Sequence, residues 1–205
     1  MSPSTRARWS RHRWRPDVSA QPDLTALARV VRPTGVERTF GRDEVIVTKT
    51  DLKGRITYAN DVFCRVSALP EAELLGRPHS VIRHPEMPKA VFKLLWDTLG
   101  TGQELFAYVV NLAGDGAHYW VLAHVTPSLG PAGDVVGYHS NRRLPDPRAI
   151  REVEPIYRRL VAEERRHPRS ADAARAGEAL LHELLAERGT TYDRLVWSLA
   201  NGAAA

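Results

Sequence analysis

From residue 44 the chain alternates apolar and polar side chains. EVIVTKTD (44–51) is β-branched with a period of two, DLKG turns it, and RITYAN (55–60) returns, which predicts a hairpin. The period then changes. Asn60 and Asp61 open NDVFCRVSAL, where Val62, Phe63 and Val66 recur at helical spacing, and EAELLG is a short helix ended by Gly76. KAVFKLLWDTLGTG carries Val91, Leu94, Leu95, Thr98 and Leu99 on one face, with Gly100 and Gly102 closing it. Three strand patterns follow at 104–112, 118–129 and 134–143, joined by the turns AGDGA and GPAGD. Two strands, short helices, one longer helix and a three-stranded meander predict an α+β domain over 36–145.

After Pro145 and Pro147 the pattern is helical to residue 201. Ile150, Val153, Tyr157, Leu160 and Val161 form one narrow stripe, Leu180, Leu181, Leu184 and Leu185 a second, and TTYDRLVWSLA a short third helix. Such stripes must dock on the domain, on each other or on a second copy. Residues 1–33 read as a basic arm without stable structure, apart from a short helix at 23–31.

Composition narrows the function. The chain of 205 residues has a net charge of +5, but residues 1–42 hold nine arginines against three acids and the remainder is close to neutral. A nucleic-acid interface is therefore not expected of the domain itself. No apolar run approaches the ~20 residues of a membrane span, and the Arg-rich start leads into no apolar signal segment. One cysteine, Cys64, excludes an internal disulfide and a multi-cysteine zinc site, and a cytoplasmic location is expected. GxSxG, HExxH, P-loop and GxGxxG patterns are absent, so no catalysis is expected.

One stretch concentrates chemistry. RHPEMP (83–88) places Arg83 and His84 just ahead of an amphipathic helix, between backbone-restricting prolines. Arg83 can fork two donors to a phosphate or a carbonyl edge, and His84 adds a donor that changes charge near neutral pH. Read on its own, the stretch fits a cofactor hand, a metal or haem ligand, or only a helix start, with Pro88 in the first turn.

The segments TDLKGRITYAND, GRPHSVIRHPEMPKAVFKLLWDTL, GDGAHYWV and VVGYHSNR, in this order, resemble the flavin-binding PAS domain of bacterial aerotaxis receptors. The likeness covers about 36–145 and continues weakly into EPIYRRL. It implies a five-stranded antiparallel sheet flanked by short helices, here followed by a C-terminal helical extension. It also implies a non-covalent FAD used as a redox sensor, with Asn60, His79, Arg83, His84, Trp96, His118, Tyr119 and Trp120 at the cofactor-binding positions. The chain departs from the family at Leu112 and Ala113, which follow Asn111 where basic residues often stand. The receptors continue into an anchor and a signalling rod, neither of which is expected from the sixty residues after Pro145. The expected output is therefore to a separate partner (a chemoreceptor, kinase or cyclase), through a homodimer and through helices flanking the sheet at 36–43 and 146–200.

Other readings compete at single residues. Asn60 is equally a helix N-cap, Trp96 a core aromatic, and on a strand only one of Tyr119 and Trp120 can face a pocket. His79, His84, His118, His124 and His139 are candidate axial ligands for a haem-binding gas sensor, although no CxxCH is present. A cofactor-free dimerisation or scaffold module is the remaining alternative. Adduct-forming photosensors place a cysteine after a Gly-Arg-Asn stretch, but here Gly76-Arg77-Pro78-His79 offers no thiol.

Overall fold

The computed structural model describes residues 31–202, so most of the basic arm expected at 1–33 and of the helix expected at 23–31 lies outside the described residues. Five strands form one antiparallel sheet: β1 (Ile46–Thr50), β2 (Ile56–Ala59), β3 (Leu105–Leu112), β4 (His118–Leu129) and β5 (Val135–Arg143), in the order β2-β1-β5-β4-β3. Between β2 and β3 run α1 (Asp61–Ser67), α2 (Glu71–Leu74), a 3-10 turn at His79–Ile82 and α3 (Lys89–Gly100). The β1–β2 turn is an Asx-turn, in which the Asp51 carboxylate accepts from the backbone N–H of Lys53 and of Arg55 at 2.8 and 2.9 Å. Asn60 caps α1 by accepting from Phe63 N, and also clamps β1 through Val47 N and Val45 O. The first helix is thereby tied to the hairpin.

The register sorts side chains by face. Ile46, Thr48, Ala59, Leu105, Ala107, Tyr119, Val121, Ala123, Ser140 and Arg142 point to the side covered by α1–α3, where Phe63, Val66, Leu74 and Ile82 complete a core. Tyr108, Val110 and Trp120 point to the other side.

The C-terminal helices α4 (Pro147–Glu164), α5 (Ser170–Glu187) and α6 (Tyr192–Ala200) wrap the free edge of β3 and lie along α3. This answers the two needs set by the sequence: an open strand edge must be covered, and narrow helical stripes must be buried. The Tyr157 hydroxyl donates to the Tyr108 carbonyl on that edge at 2.7 Å and pairs with the Tyr192 hydroxyl at 3.0 Å. Segment 36–43, expected as a flanking helix, is instead extended over 36–40 and then turns, with Glu44 N donating to the Gly41 carbonyl. Glu37 bridges to His118, Arg38 N donates to the His118 carbonyl, and the Arg38 guanidinium pairs with Asp115. Pairing with the start of β4 satisfies backbone groups that a helix there would leave facing the sheet.

α3 begins after Pro88 with no side-chain cap of its own. The cap comes from α4. Glu164 is only 5% exposed, and its carboxylate accepts from Lys89 N at 2.9 Å and Ala90 N at 2.8 Å. A carboxylate suits the positive end of a helix dipole, and its burial is tolerated because both oxygens are bonded. Gly177 of α5 makes room, since a Cβ there would stand 2.6 Å from the Glu164 Oε1. Arg165 pairs with Glu86 at 2.5 Å and Lys93 with Glu178 at 2.9 Å, on the exposed margins of the same junction.

Glu164→Ala, which strips two buried N–H groups of their acceptor, is expected to cost about 2–3 kcal/mol in urea unfolding. Gly177→Ala is expected to cost about 1–3 kcal/mol by overpacking. The double variant should cost at least ~0.5 kcal/mol less than the two costs added together, because both changes act on one carboxylate. Simple additivity would mean that the glycine serves something other than the cap.

Candidate functional site

The face of the sheet under α1–α3 is unusual for an interior. A row runs across it from Ala59 through Thr48, Ser140 and Val125 to Leu105, and the next row holds Ile46, Arg142, Ala123 and Ala107. Arg142 is 6% exposed, and no carboxylate among the described residues pairs with it. Its guanidinium donates instead to the Thr48 hydroxyl at 3.0 Å and to His79 Nε2 at 2.8 Å, and it lies 5.8 Å from the Phe63 ring centre. A guanidinium can only donate, so His79 Nε2 accepts and the imidazole is neutral with its proton on Nδ1. Burial first, and then the neighbouring Arg142 charge, hold the His79 pKa well below its ordinary value. Burial pulls Arg142 down to about 10, which leaves it charged at neutral pH.

Three buried polar atoms on this same face have no partner: Asn111 Nδ2 on β3, the Tyr119 hydroxyl on β4 and Ser140 Oγ on β5. Buried donors and acceptors left unmade cost about 1–3 kcal/mol each, so three spread along this face, from Ser140 next to the Arg142 row to Tyr119 and Asn111 further along β4 and β3, ask for polar groups to meet them. The opposite wall is aromatic. Phe92 and Trp96 stand one turn apart on α3 and are only half-buried, with Trp96 set edge-on to Tyr138 at 5.3 Å and against Gly54. His79 stacks on Phe63 at 5.8 Å. The small side chains of Ala107, Ala123 and Ser140 keep the floor low beneath these rings.

The residues singled out in the sequence fall into three places. His79, Trp96 and Tyr119 line this cleft. Arg83 and His84 stand at its rim. The Arg83 guanidinium lies 4.1 Å over the Phe92 ring, open to water although protein surrounds it, while its backbone bridges to Asn111. His84 Nδ1 accepts from Glu86 N at 3.1 Å, and its ring leans on His118 at 5.9 Å. Burial, then the His118 neighbour, lower the His84 pKa. Asn60 and Trp120 lie elsewhere: both polar atoms of the Asn60 amide are spent on the cap and clamp of α1, and Trp120 packs on Tyr157 on the far face.

Arg142, Thr48, Asn111 and Ser140 are missing from the sequence-derived set. An arginine beside a second arginine at the end of a strand reads as a surface charge, and alternation alone does not say which of Arg142 and Arg143 turns inward. Among the described residues no group of three His, Cys, Asp or Glu side chains gathers as a protein-held metal ion would require. Nor is any helix among them long and apolar enough to cross a membrane.

Behind the rim, the 83–89 loop and the end of α4 enclose a groove of about 310 Å³, with Arg83, His84 and Lys89 on one side and Val161, Glu164, Arg165 and His167 on the other.

Comparison with known proteins agrees with this architecture. The model of the PAS fold matches residues 45–140. The chain is 42% identical over 120 residues to the aerotaxis receptor of Escherichia coli (strain K12), covering 58% of this chain and 24% of the receptor. It is 32% identical over 126 residues to a nitrogen fixation regulatory protein of Klebsiella pneumoniae, covering 61% and 26%. The chain thus spans about a quarter of the length of these curated relatives. Among solved structures, the PAS domain of a protein from Colwellia psychrerythraea matches at 18% identity and a TM-score of 0.45, covering 48% of this chain and 84% of that one. With its five-stranded sheet in the order β2-β1-β5-β4-β3 and α1–α3 over one face, the segment 45–140 that matches the PAS model has the PAS fold.

Proposed function

We propose that the cleft binds a flavin, as FAD, and that the chain is a cytoplasmic, non-catalytic redox-sensing input module reporting to a separate signalling protein as a homodimer. The observation that carries this reading is the pairing of a buried, carboxylate-free Arg142 and three orphaned polar atoms on the floor with Phe92 and Trp96 on the wall. A flat ring with a hydrogen-bonding edge satisfies both surfaces at once. The resemblance to aerotaxis receptors supports the same choice.

A bound flavin would supply a ring that takes up and releases electrons together with protons. The protein's part is positioning. Ser140 Oγ offers a donor-acceptor to the ring's polar edge at the Trp96 end of the face, Asn111 Nδ2 offers a donor at the opposite end, ~20 Å further along the strands, and Trp96 and Phe92 exclude water from the ring's face. Thr48 and neutral His79 hold the Arg142 charge at a fixed point under the cleft, where it favours whichever ligand state carries more negative charge. That preference supplies the differential contact which a two-state sensor needs. Arg83, whose backbone is joined to Asn111, leads from the floor to the loop that α4 grips.

The direct test is mass spectrometry of the supernatant released by denaturing purified full-length protein, together with its visible spectrum. FAD and the two-band absorption of an oxidised flavin are expected. A Soret band would replace the reading with haem, and no chromophore after gentle purification would leave an interaction module.

Arg142→Leu separates function from stability. The loss of a buried charge is offset by the loss of its bonds to Thr48 and His79, which stand 3.4 Å apart and can pair with each other, so the cofactor-free fold is expected to stay folded with little change in thermal unfolding. Flavin retention should fall at least about tenfold with the loss of a charged contact. A variant that unfolds and a variant that keeps full flavin would each refute the role given to Arg142.

The depressed pKa values of His79 and His84 fix a pH dependence. Near pH 6.5 and below, the unfolded chain takes up protons that the folded chain refuses. Stability is therefore complete above that pH and declines as pH falls, by up to about 1.4 kcal/mol per pH unit for each histidine. Urea unfolding between pH 7.5 and 5.5, values chosen about one unit either side of the ordinary histidine pKa, should show this fall. His79→Gln should flatten it.

A further inference from the structure

We infer that the groove between the 83–89 loop and the end of α4 is a binding site for the phosphate-bearing tail of the dinucleotide, so that the helical extension supplies half of the cofactor's site. This rests on the FAD reading and adds to it a second wall, made of Lys89, Arg165 and His167. The groove's volume of about 310 Å³ lies at the lower end of ligand sites, enough for a diphosphate and part of a nucleoside.

Its charges point to an anion. The two carboxylates nearest the groove are already committed, Glu164 to the N–H groups of Lys89 and Ala90, and Glu86 to Arg165. Arg83 and Lys89 form no ion pair among the described residues, and the Glu164 charge, which also acts on Arg83, leaves the cations Arg83, Lys89 and Arg165 in excess of the two carboxylates. Three cations against two carboxylates on one concave surface suit a diphosphate better than a neutral ligand.

The geometry also joins the groove to the cleft. Lys89, Phe92 and Trp96 follow one another at i, i+3 and i+7, along one face of α3 spanning about 10 Å. Lys89 lines the groove, Trp96 lines the cleft, and Arg83 stands over Phe92 between them. A ring held at Trp96 with a chain leaving past Arg83 therefore delivers its phosphates to Lys89 and the end of α4. Binding of the tail then draws the 83–89 loop and α4 together, across the junction that Glu164 already closes.

Titration of the flavin-free full-length chain with riboflavin, FMN, FAD and ADP tests this by flavin fluorescence and calorimetry. FAD is expected to bind at least about tenfold more tightly than riboflavin, and Lys89→Gln and Arg165→Gln should each lower that ratio by about tenfold. Lys89 makes no ion pair, so its variant stays informative even if loss of the Arg165–Glu86 pair loosens α4. Equal affinity for FAD and riboflavin, or a ratio unmoved by both variants, would overturn the inference while leaving the flavin reading intact. ADP alone binding as tightly as FAD would assign the groove to a free nucleotide and overturn it as well. If none of the flavins binds, the flavin reading fails, and this inference with it.

Discussion

A guanidinium buried in a β-sheet without a carboxylate is the constraint around which the interior is arranged. Arg142 can be held only by acceptors, and the fold supplies two of them, the Thr48 hydroxyl and the Nε2 of His79. This choice propagates. His79 must stay neutral, the 3-10 turn carrying it must sit against β1, and Phe63 must lie beside both groups. An ion pair at the same place would have been self-sufficient. A cation with only neutral partners keeps an outward electrostatic demand, which is the property of a site rather than of a core.

A second buried charge closes the molecule from the other side. Glu164 does for α3 what a serine or aspartate at the N-cap does in other helices, but from a residue 75 positions away. Pro88 makes this necessary by offering no side-chain acceptor, and Gly177 makes it physically feasible. The helical extension is thus bound to the domain through the same loop that carries Arg83 and His84. Packing on the β3 edge, where Tyr157 meets the Tyr108 carbonyl, gives the extension a fixed seat against which that loop is set. The two buried charges differ in kind: Glu164 has its hydrogen bonds complete, whereas Arg142 shares its face of the sheet with three polar atoms that have no partner.

Much of the fold was legible in the order of residues, since strands and helices here follow hydrophobic period closely. The hairpin at 46–59, the cap at Asn60, the meander and the three C-terminal helices all obey local rules that operate within a few residues. Segment 36–43 did not follow them. Its conformation is set by β4, more than 70 residues on, and short mixed sequences take the structure that satisfies their backbone. The eight cofactor positions implied by resemblance were only partly gathered: His79, Trp96 and Tyr119 share the cleft, Arg83 and His84 stand at its rim with His118 against His84, and Asn60 and Trp120 are occupied in packing the frame.

By itself the sequence determined the periodicities, the caps, the turn at Asp51 and the charge confined to the first 42 residues, because each depends on neighbours along the chain. Only the tertiary structure decided that Arg142 rather than Arg143 turns inward, that Tyr119 rather than Trp120 faces the cleft, and that Glu164 caps a helix not its own. Those outcomes depend on strand register and on which helix lies across which edge. A two-residue period fixes that alternate side chains oppose each other, but burial on one side is conferred only by what packs there.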